Sequence, residues 1–285
     1  MASERAWTSV PRARAAGPGA GTALVKGGGE VGTAIAVALW RAGWRVVVAE
    51  LARPTTLRRQ LSAAEAAFGG PVARDGVEIA LAADVPSLTA LLAAGSALPL
   101  YVGPLARALA ALRPTLVVDA RLQRPALAEV QRGEAPLVIG LGPGLCAGEH
   151  VDAAIETCPG PDLGEVIWQG AARPHMPLRR AGGAERFVYA PGPGLWRTER
   201  AIGREVAAGD VLGMVDGVPL LAPAAGALRG LVHDAVPVHA GRKVAAIHAG
   251  DWRRKESGIC ERAAALAASV LAAVDQAHLL RLDDA

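Results

Sequence analysis

The sequence predicts an α/β protein: a Rossmann-like parallel sheet, then a small all-β module, then a C-terminal helix. Three observations carry this. Strand, glycine turn, helix and strand follow one another within thirty residues of Thr22. Strand-like and helix-like segments then alternate as far as Leu141, the pattern of a parallel sheet with crossover helices. Residues 188–215 align with residues 220–247 at a constant offset of 32, over a stretch without a convincing helix.

The elements follow in order. Thr22–Lys26 is a short apolar strand ending at Gly27-Gly28-Gly29-Glu30-Val31-Gly32. A helix runs from Val31 to Arg41 and stops at Gly43, and Arg45–Glu50 is a Val-rich strand that ends in an acid. Pro54–Phe68 is expected to be helical. Val77–Ala83, Leu98–Val102, Thr115–Asp119 and Leu137–Leu141 read as strands, the last apolar enough to be covered on both faces. Val85–Ala94 and Pro104–Leu112 read as the intervening helices. Short strands are expected at Val151–Thr157, Glu165–Gln169 and Glu185–Ala190, and Glu261–Leu282 has the apolar spacing of a packed helix. The expected division is a tail at 1–20, a glycine-loop domain at 21–158, a loop-rich connection at 159–187, a β-repeat module at 188–250 and a helical segment at 251–285.

The repeat pairs Ala190-Pro191 with Ala222-Pro223, Gly194 with Gly226, Arg197 with Arg229, and Val206, Ala208, Gly209 with Val238, Ala240, Gly241. Its two halves resemble the barrel-sandwich hybrid of biotinyl and lipoyl domains. The hairpin between them is Asp216-Gly217-Val218-Pro219, which offers no lysine, so a lipoyl or biotinyl carrier is not expected.

Composition narrows the function. The chain has 285 residues, 52% of them apolar and 20% charged, with a net charge of +3, which excludes a disordered polyelectrolyte. Ala supplies 62 residues, and Arg outnumbers Lys by 27 to 3. The basic residues form no stripe, and two Phe and two Tyr leave little for base stacking, so nucleic acid is not an expected partner. The longest apolar run, Ala263–Val274, is shorter than a membrane span. Three cysteines without CxxC spacing and an N-terminus without an apolar signal core predict a cytoplasmic protein. A homo-oligomer remains possible.

The candidate site follows from the first glycine turn. Gly27, Gly29 and Gly32 match G-x-G-x-x-G between a strand and a helix. Gly27 allows the tight turn, Gly29 lets a pyrophosphate approach the backbone, and Gly32 lets helix and strand pack closely. The helix N-terminus adds N–H donors and a positive dipole end. Gly28 adds a further glycine, Lys26 could meet a phosphate or carboxylate, and Glu50 stands where ribose hydroxyls are bound. Asp119, Arg121 and a second glycine turn bearing Gly142 and Gly144 are expected to converge on the same sheet edge. Cys146 and Asp119 are weak catalytic candidates. Cys260, near a helix start, could have a depressed thiol pKa. His150 and His175 have no evident partners, and no metal site is predicted.

The runs "LVKGGGEVGTAIAVALWRAGWRVVVAEL", "RPTTLRR", "LVIGLGPGLCAG", "VDAAIET", "GEVIWQG" and "APAAGALRGL" together resemble the selenium-dependent molybdenum hydroxylase system proteins. The glycine-loop part is similar to xanthine dehydrogenase accessory proteins. The resemblance implies an accessory or maturation protein holding a nucleotide or molybdenum cofactor, with a molybdenum hydroxylase client docked on the β module. Two alternatives stay open: an NAD-dependent oxidoreductase, with Glu50 favouring NAD, and a non-catalytic scaffold.

Overall fold

The computed structural model describes residues 21–122, 129–174, 185–249 and 258–283. The expected N-terminal tail and His175 lie outside the described residues.

A nine-stranded mixed sheet forms the larger half. Its strands are β1 (Thr22–Lys26), β2 (Arg45–Glu50), β3 (Val72–Arg74), β4 (Val77–Ala82), β5 (Leu98–Val102), β6 (Leu116–Asp119), β7 (Leu137–Leu141), β9 (Ala153–Ile155) and β10 (Val166–Ile167). The two-residue β8 (Cys146–Ala147) pairs instead with β11 (Gly170–Ala171). The order in the large sheet is β10-β9-β7-β6-β1-β2-β5-β4-β3, parallel except at its two edges.

Period-two alternation explains why the central strands read as unbroken apolar runs. Val25, Val48, Val118 and Ile139 enter one core, while Leu24, Val47, Val117 and Val138 enter another on the opposite face. The first face is covered by α1 (Glu30–Arg41) and the long C-terminal α5 (Glu261–Asp283), which packs along α1. The second is covered by α3 (Val85–Ala94) and α4 (Leu105–Leu112), through Leu88, Leu92 and Ala108. The start of α3 is fixed by a capping box between Asp84 and Ser87. Among the described residues, no helix is long and apolar enough to cross a membrane.

The expected helix over Pro54–Phe68 does not form. Two short 3₁₀ turns, Arg59–Leu61 and Ala63–Glu65, precede a single helical turn, α2 (Ala66–Gly69). The backbone of this segment is bonded elsewhere: the Leu57 carbonyl accepts from Leu231 N–H at 2.8 Å, and Ala64 N–H donates to the Gly28 carbonyl at 2.9 Å. Tertiary partners win over the weak helical propensity of the segment. Phe68 then stacks on His233 of the β module with ring centroids 4.0 Å apart.

The remaining strands are β12 (Glu185–Tyr189), β13 (Gly194–Arg197), β14 (Glu205–Val206), β15 (Val211–Val215), β16 (Val218–Leu221), β17 (Gly226–Leu231), β18 (Val236–Val238) and β19 (Lys243–His248). They form two four-stranded antiparallel sheets, β12-β19-β17-β14 and β16-β15-β13-β18. Adding 32 to the first-half strands carries one sheet order onto the other, so each sheet draws strands from both halves of the repeat. The hydrogen bonds repeat as well. Gly209 N–H donates to the Ala222 carbonyl at 2.9 Å, and Gly241 N–H to the Ala190 carbonyl at 2.8 Å. Trp196, Val206, Leu212 and Val215 share one core with Leu228, Val238, Val244 and Ile247. Neither sheet closes into a barrel.

Candidate ligand site at the glycine turn

The sheet changes direction between β1 and β6, because the connections on either side run to opposite edges. Such a switch point leaves a crevice beyond the carboxyl ends of the strands. Lys26 and Asp119 are register partners at those ends. The cleft above them measures about 600 Å³ and is lined by Lys26, Gly27, Gly29, Glu50 and Arg121 of the expected site.

The glycine turn is held from several sides. Gly27 has φ +94°, a left-handed conformation that favours glycine, and its N–H donates to the Ala49 carbonyl at 2.8 Å. Gly32 lies so close to the turn that an added Cβ would sit 1.9 Å from the Gly27 carbonyl oxygen. Thr33 Oγ1 donates to the Gly29 carbonyl at 2.7 Å and accepts from Ala63 N–H at 2.8 Å, which pins the turn to the 54–68 segment. Gly29 is the N-cap of α1, with no side-chain cap. A Cβ there would meet nothing within 4 Å, so this is where the cleft reaches the backbone.

Glu50 accepts hydrogen bonds from Gly28 N–H at 2.6 Å and Leu51 N–H at 2.7 Å. Burial raises its pKa above the ordinary carboxylate value, against the lowering effect of those two donors. Gly28 therefore acts from behind the turn, through Glu50.

Lys26 is 3% exposed, and it neither faces solvent nor stands open to the cleft as a free cation. Its Nζ donates to Gln131 Oε1 at 2.6 Å and pairs with Glu134 at 2.5 Å. Gln131 Nε2 donates in turn to Asp119 at 2.7 Å, and Arg121 grips the same carboxylate through Nε and Nη2 at 2.9 and 2.8 Å. Asp119 is thus a buried anchor for Arg121. Burial opposes its charge, but the Arg121 guanidinium and Gln131 outweigh that and hold its pKa below the ordinary aspartate value.

A depressed carboxylate stabilises the fold at pH values above its unfolded pKa and loses that contribution as pH falls through the folded value. Wild-type protein is therefore expected to lose stability more steeply than Asp119→Asn on acidification below about pH 4. Urea unfolding followed across pH 2.5–6 measures this, and equal slopes would refute it.

Other expected residues lie elsewhere. Gly142 packs against the Leu122 backbone, and Gly144 N–H reaches the Ala172 carbonyl at 3.4 Å, so the second glycine turn supports the cleft floor without lining it. Cys146 starts β8, where its N–H donates to His150 Nδ1 at 3.1 Å; together they staple a local turn. Cys260 has its thiol pKa raised, by burial and then by the Glu30 carboxylate, which corrects the expected depression at a helix start. Among the described residues, no group of three or more His, Cys, Asp or Glu is placed to hold a metal ion.

Sequence reasoning missed the far wall of the cleft, which includes Pro54, Thr55, Thr56, Arg242 and Arg262. Arg242 follows Gly241 in the β18–β19 turn, and Arg262 is the second residue of α5. No local pattern marks either one, because both reach the cleft only through tertiary packing. Of the lining cations, Lys26 is paired with Glu134 and Arg121 with Asp119, and Arg242 and Arg262 add two further guanidinium groups on the opposite wall.

No family model matches the chain. The uncharacterized protein YqeB of Escherichia coli (strain K12) is 32% identical over 254 residues, which cover 88% of this chain and 47% of that protein. The chain thus spans about half the length of that relative. Among solved structures, the apo ectoine utilization protein EutE (DoeB) from Ruegeria pomeroyi aligns over 81% of this chain and 87% of its own, with 14% identity and a TM-score of 0.26. A succinylglutamate desuccinylase/aspartoacylase from Rhodobacter sphaeroides covers 28% of this chain and 30% of its own, with 24% identity and a TM-score of 0.20. Superpositions this loose carry no argument about chemistry.

These findings correct the expected family. The relative matched by sequence is the uncharacterized protein YqeB, and none of the proteins named above is described as a selenium-dependent molybdenum hydroxylase system protein. The maturation function falls with that resemblance, and the molybdenum cofactor and the hydroxylase client lose the argument that suggested them. The NAD-dependent oxidoreductase and the scaffold gain no support from the same comparisons. Motif order over a βαβ unit is shared by many glycine-turn domains, so it selects a fold more readily than a function.

Proposed function

We propose that this protein binds a phosphorylated, ribose-bearing ligand of the nucleotide or dinucleotide type in the cleft above β1 and β6, on a Rossmann-like domain. The β module is read with it as a barrel-sandwich-hybrid-type unit. The observation that carries the proposal is the combination of open space at Gly29 with an uncapped α1 N-terminus. A phosphate placed there meets backbone N–H groups and the positive end of the helix dipole. Glu50, fixed at the end of β2 by Gly28 and Leu51, retains lone pairs for ribose hydroxyls. Arg121, braced by Asp119, adds positive charge to the same cleft.

The test is calorimetric titration of the full chain with ADP, alongside Gly29→Ala. Gly29 has φ −67° and ψ −177°, a conformation alanine adopts without strain, so the variant should fold normally. Its methyl group would occupy the phosphate position, and at least a tenfold loss of affinity is expected. Absence of ADP binding by wild type, or equal binding by the variant, would overturn the reading.

A further inference from the structure

We infer that the β module closes the same cleft and recognises a second anionic group, so the ligand is a nucleoside diphosphate or a longer ester of one, and a monophosphate is bound poorly. This rests on the proposed nucleotide reading and extends it to Arg242 and Arg262.

The internal repeat supplies the first argument. The turn holding Arg242 has a counterpart 32 residues earlier, and the backbone hydrogen bonds match. Arg242 N–H donates to the His239 carbonyl at 3.1 Å, and Asp210 N–H to the Ala207 carbonyl at 3.2 Å. In the first half, the side chain at this position serves the turn: Asp210 Oδ2 accepts from Ala207 N–H at 3.0 Å. In the second half, an arginine replaces that acid and its side chain lines the cleft. The turn therefore gives up a local cap where it faces the candidate site, a departure from local preference that often marks function.

Arg262 supplies the second argument. Its Nη2 donates to the Thr157 carbonyl at 3.0 Å, which holds the guanidinium at the edge of the cleft. Its Nε is buried and has no hydrogen-bond partner among the described residues. Arg242 and Arg262 line the same cleft from separate elements, and two arginines so arranged suit the oxygens of a terminal phosphate.

The β module is already tied to this side of the cleft. Arg53 Nη1 donates to the Ala235 carbonyl and Arg59 Nε to the Leu231 carbonyl, both at 2.8 Å. The wall carrying Arg242 is therefore positioned before any ligand arrives.

The experiment compares ADP and AMP binding to the full chain as wild type, Arg242→Gln, Arg242→Lys and Arg262→Gln. Wild type should bind ADP at least tenfold more tightly than AMP. Arg242→Gln and Arg262→Gln should bring that ratio close to one while leaving AMP affinity within about twofold, and Arg242→Lys should restore part of it. Arg242 is exposed on a turn, so an unchanged melting temperature shows that its variants fold. A wild-type ratio near one, or a ratio that survives both Arg→Gln changes, overturns this inference and leaves the glycine-turn reading standing. Failure of wild type to bind either nucleotide overturns both.

Discussion

Val244→Asp is expected to cost about 3–5 kcal/mol and to melt the β module before the rest of the chain. Val244 is fully buried in β19, in a core that also holds Trp196, Leu228 and Ile247. A carboxylate introduced there has no cation within the apolar core, so it must either stay charged without a partner or take up a proton at neutral pH. Because each sheet takes strands from both halves of the repeat, the damage cannot be confined to one half. Val244→Ala, which removes volume without adding charge, should cost about 2 kcal/mol. Urea unfolding monitored by far-UV circular dichroism, in a background where Trp196 is the only tryptophan kept and its fluorescence is followed alongside, measures both. A Val244→Asp protein as stable as Val244→Ala would show that this core is not the shared one described.

The second large effect is expected at Gly32. Gly32→Ala places a Cβ 1.9 Å from the Gly27 carbonyl oxygen, and backbone cannot yield as a flexible side chain can. Either α1 moves away from β1 or the glycine turn unwinds, at a cost of about 3 kcal/mol. The turn also carries the candidate phosphate site, so nucleotide binding should disappear with it. Gly29→Ala, three residues earlier, should cost under about 1 kcal/mol in stability while still blocking the ligand. Thermal unfolding of the two variants side by side separates the packing role from the binding role. Equal stability of both would contradict the close approach of helix and strand.

The sequence by itself determined the strand–turn–helix–strand start, because Thr22–Lys26 and Arg45–Glu50 are apolar runs that only a sheet covered on both faces can hold. It also located α3, α4 and α5 through their apolar spacing, and the interleaved repeat through a constant offset of 32. The turns at Gly27, Gly209 and Gly241 were legible for the same reason: glycine and the residues around it encode local backbone geometry. The tertiary structure alone decided the rest. Pro54–Phe68 has enough helix formers to look helical, but its backbone groups are taken by Gly28, Thr33 and Leu231. The sequence leaves Lys26 either a contact for a phosphate or carboxylate or a solvated lysine, and only the fold brings Gln131 and Glu134, more than a hundred residues away, onto its ammonium group. Arg242 and Arg262 line the same cleft as the glycine turn only because the β module and α5 pack back onto the first sheet. Contacts between residues so far apart in the chain depend on the packing of whole elements, and local propensity carries no record of them.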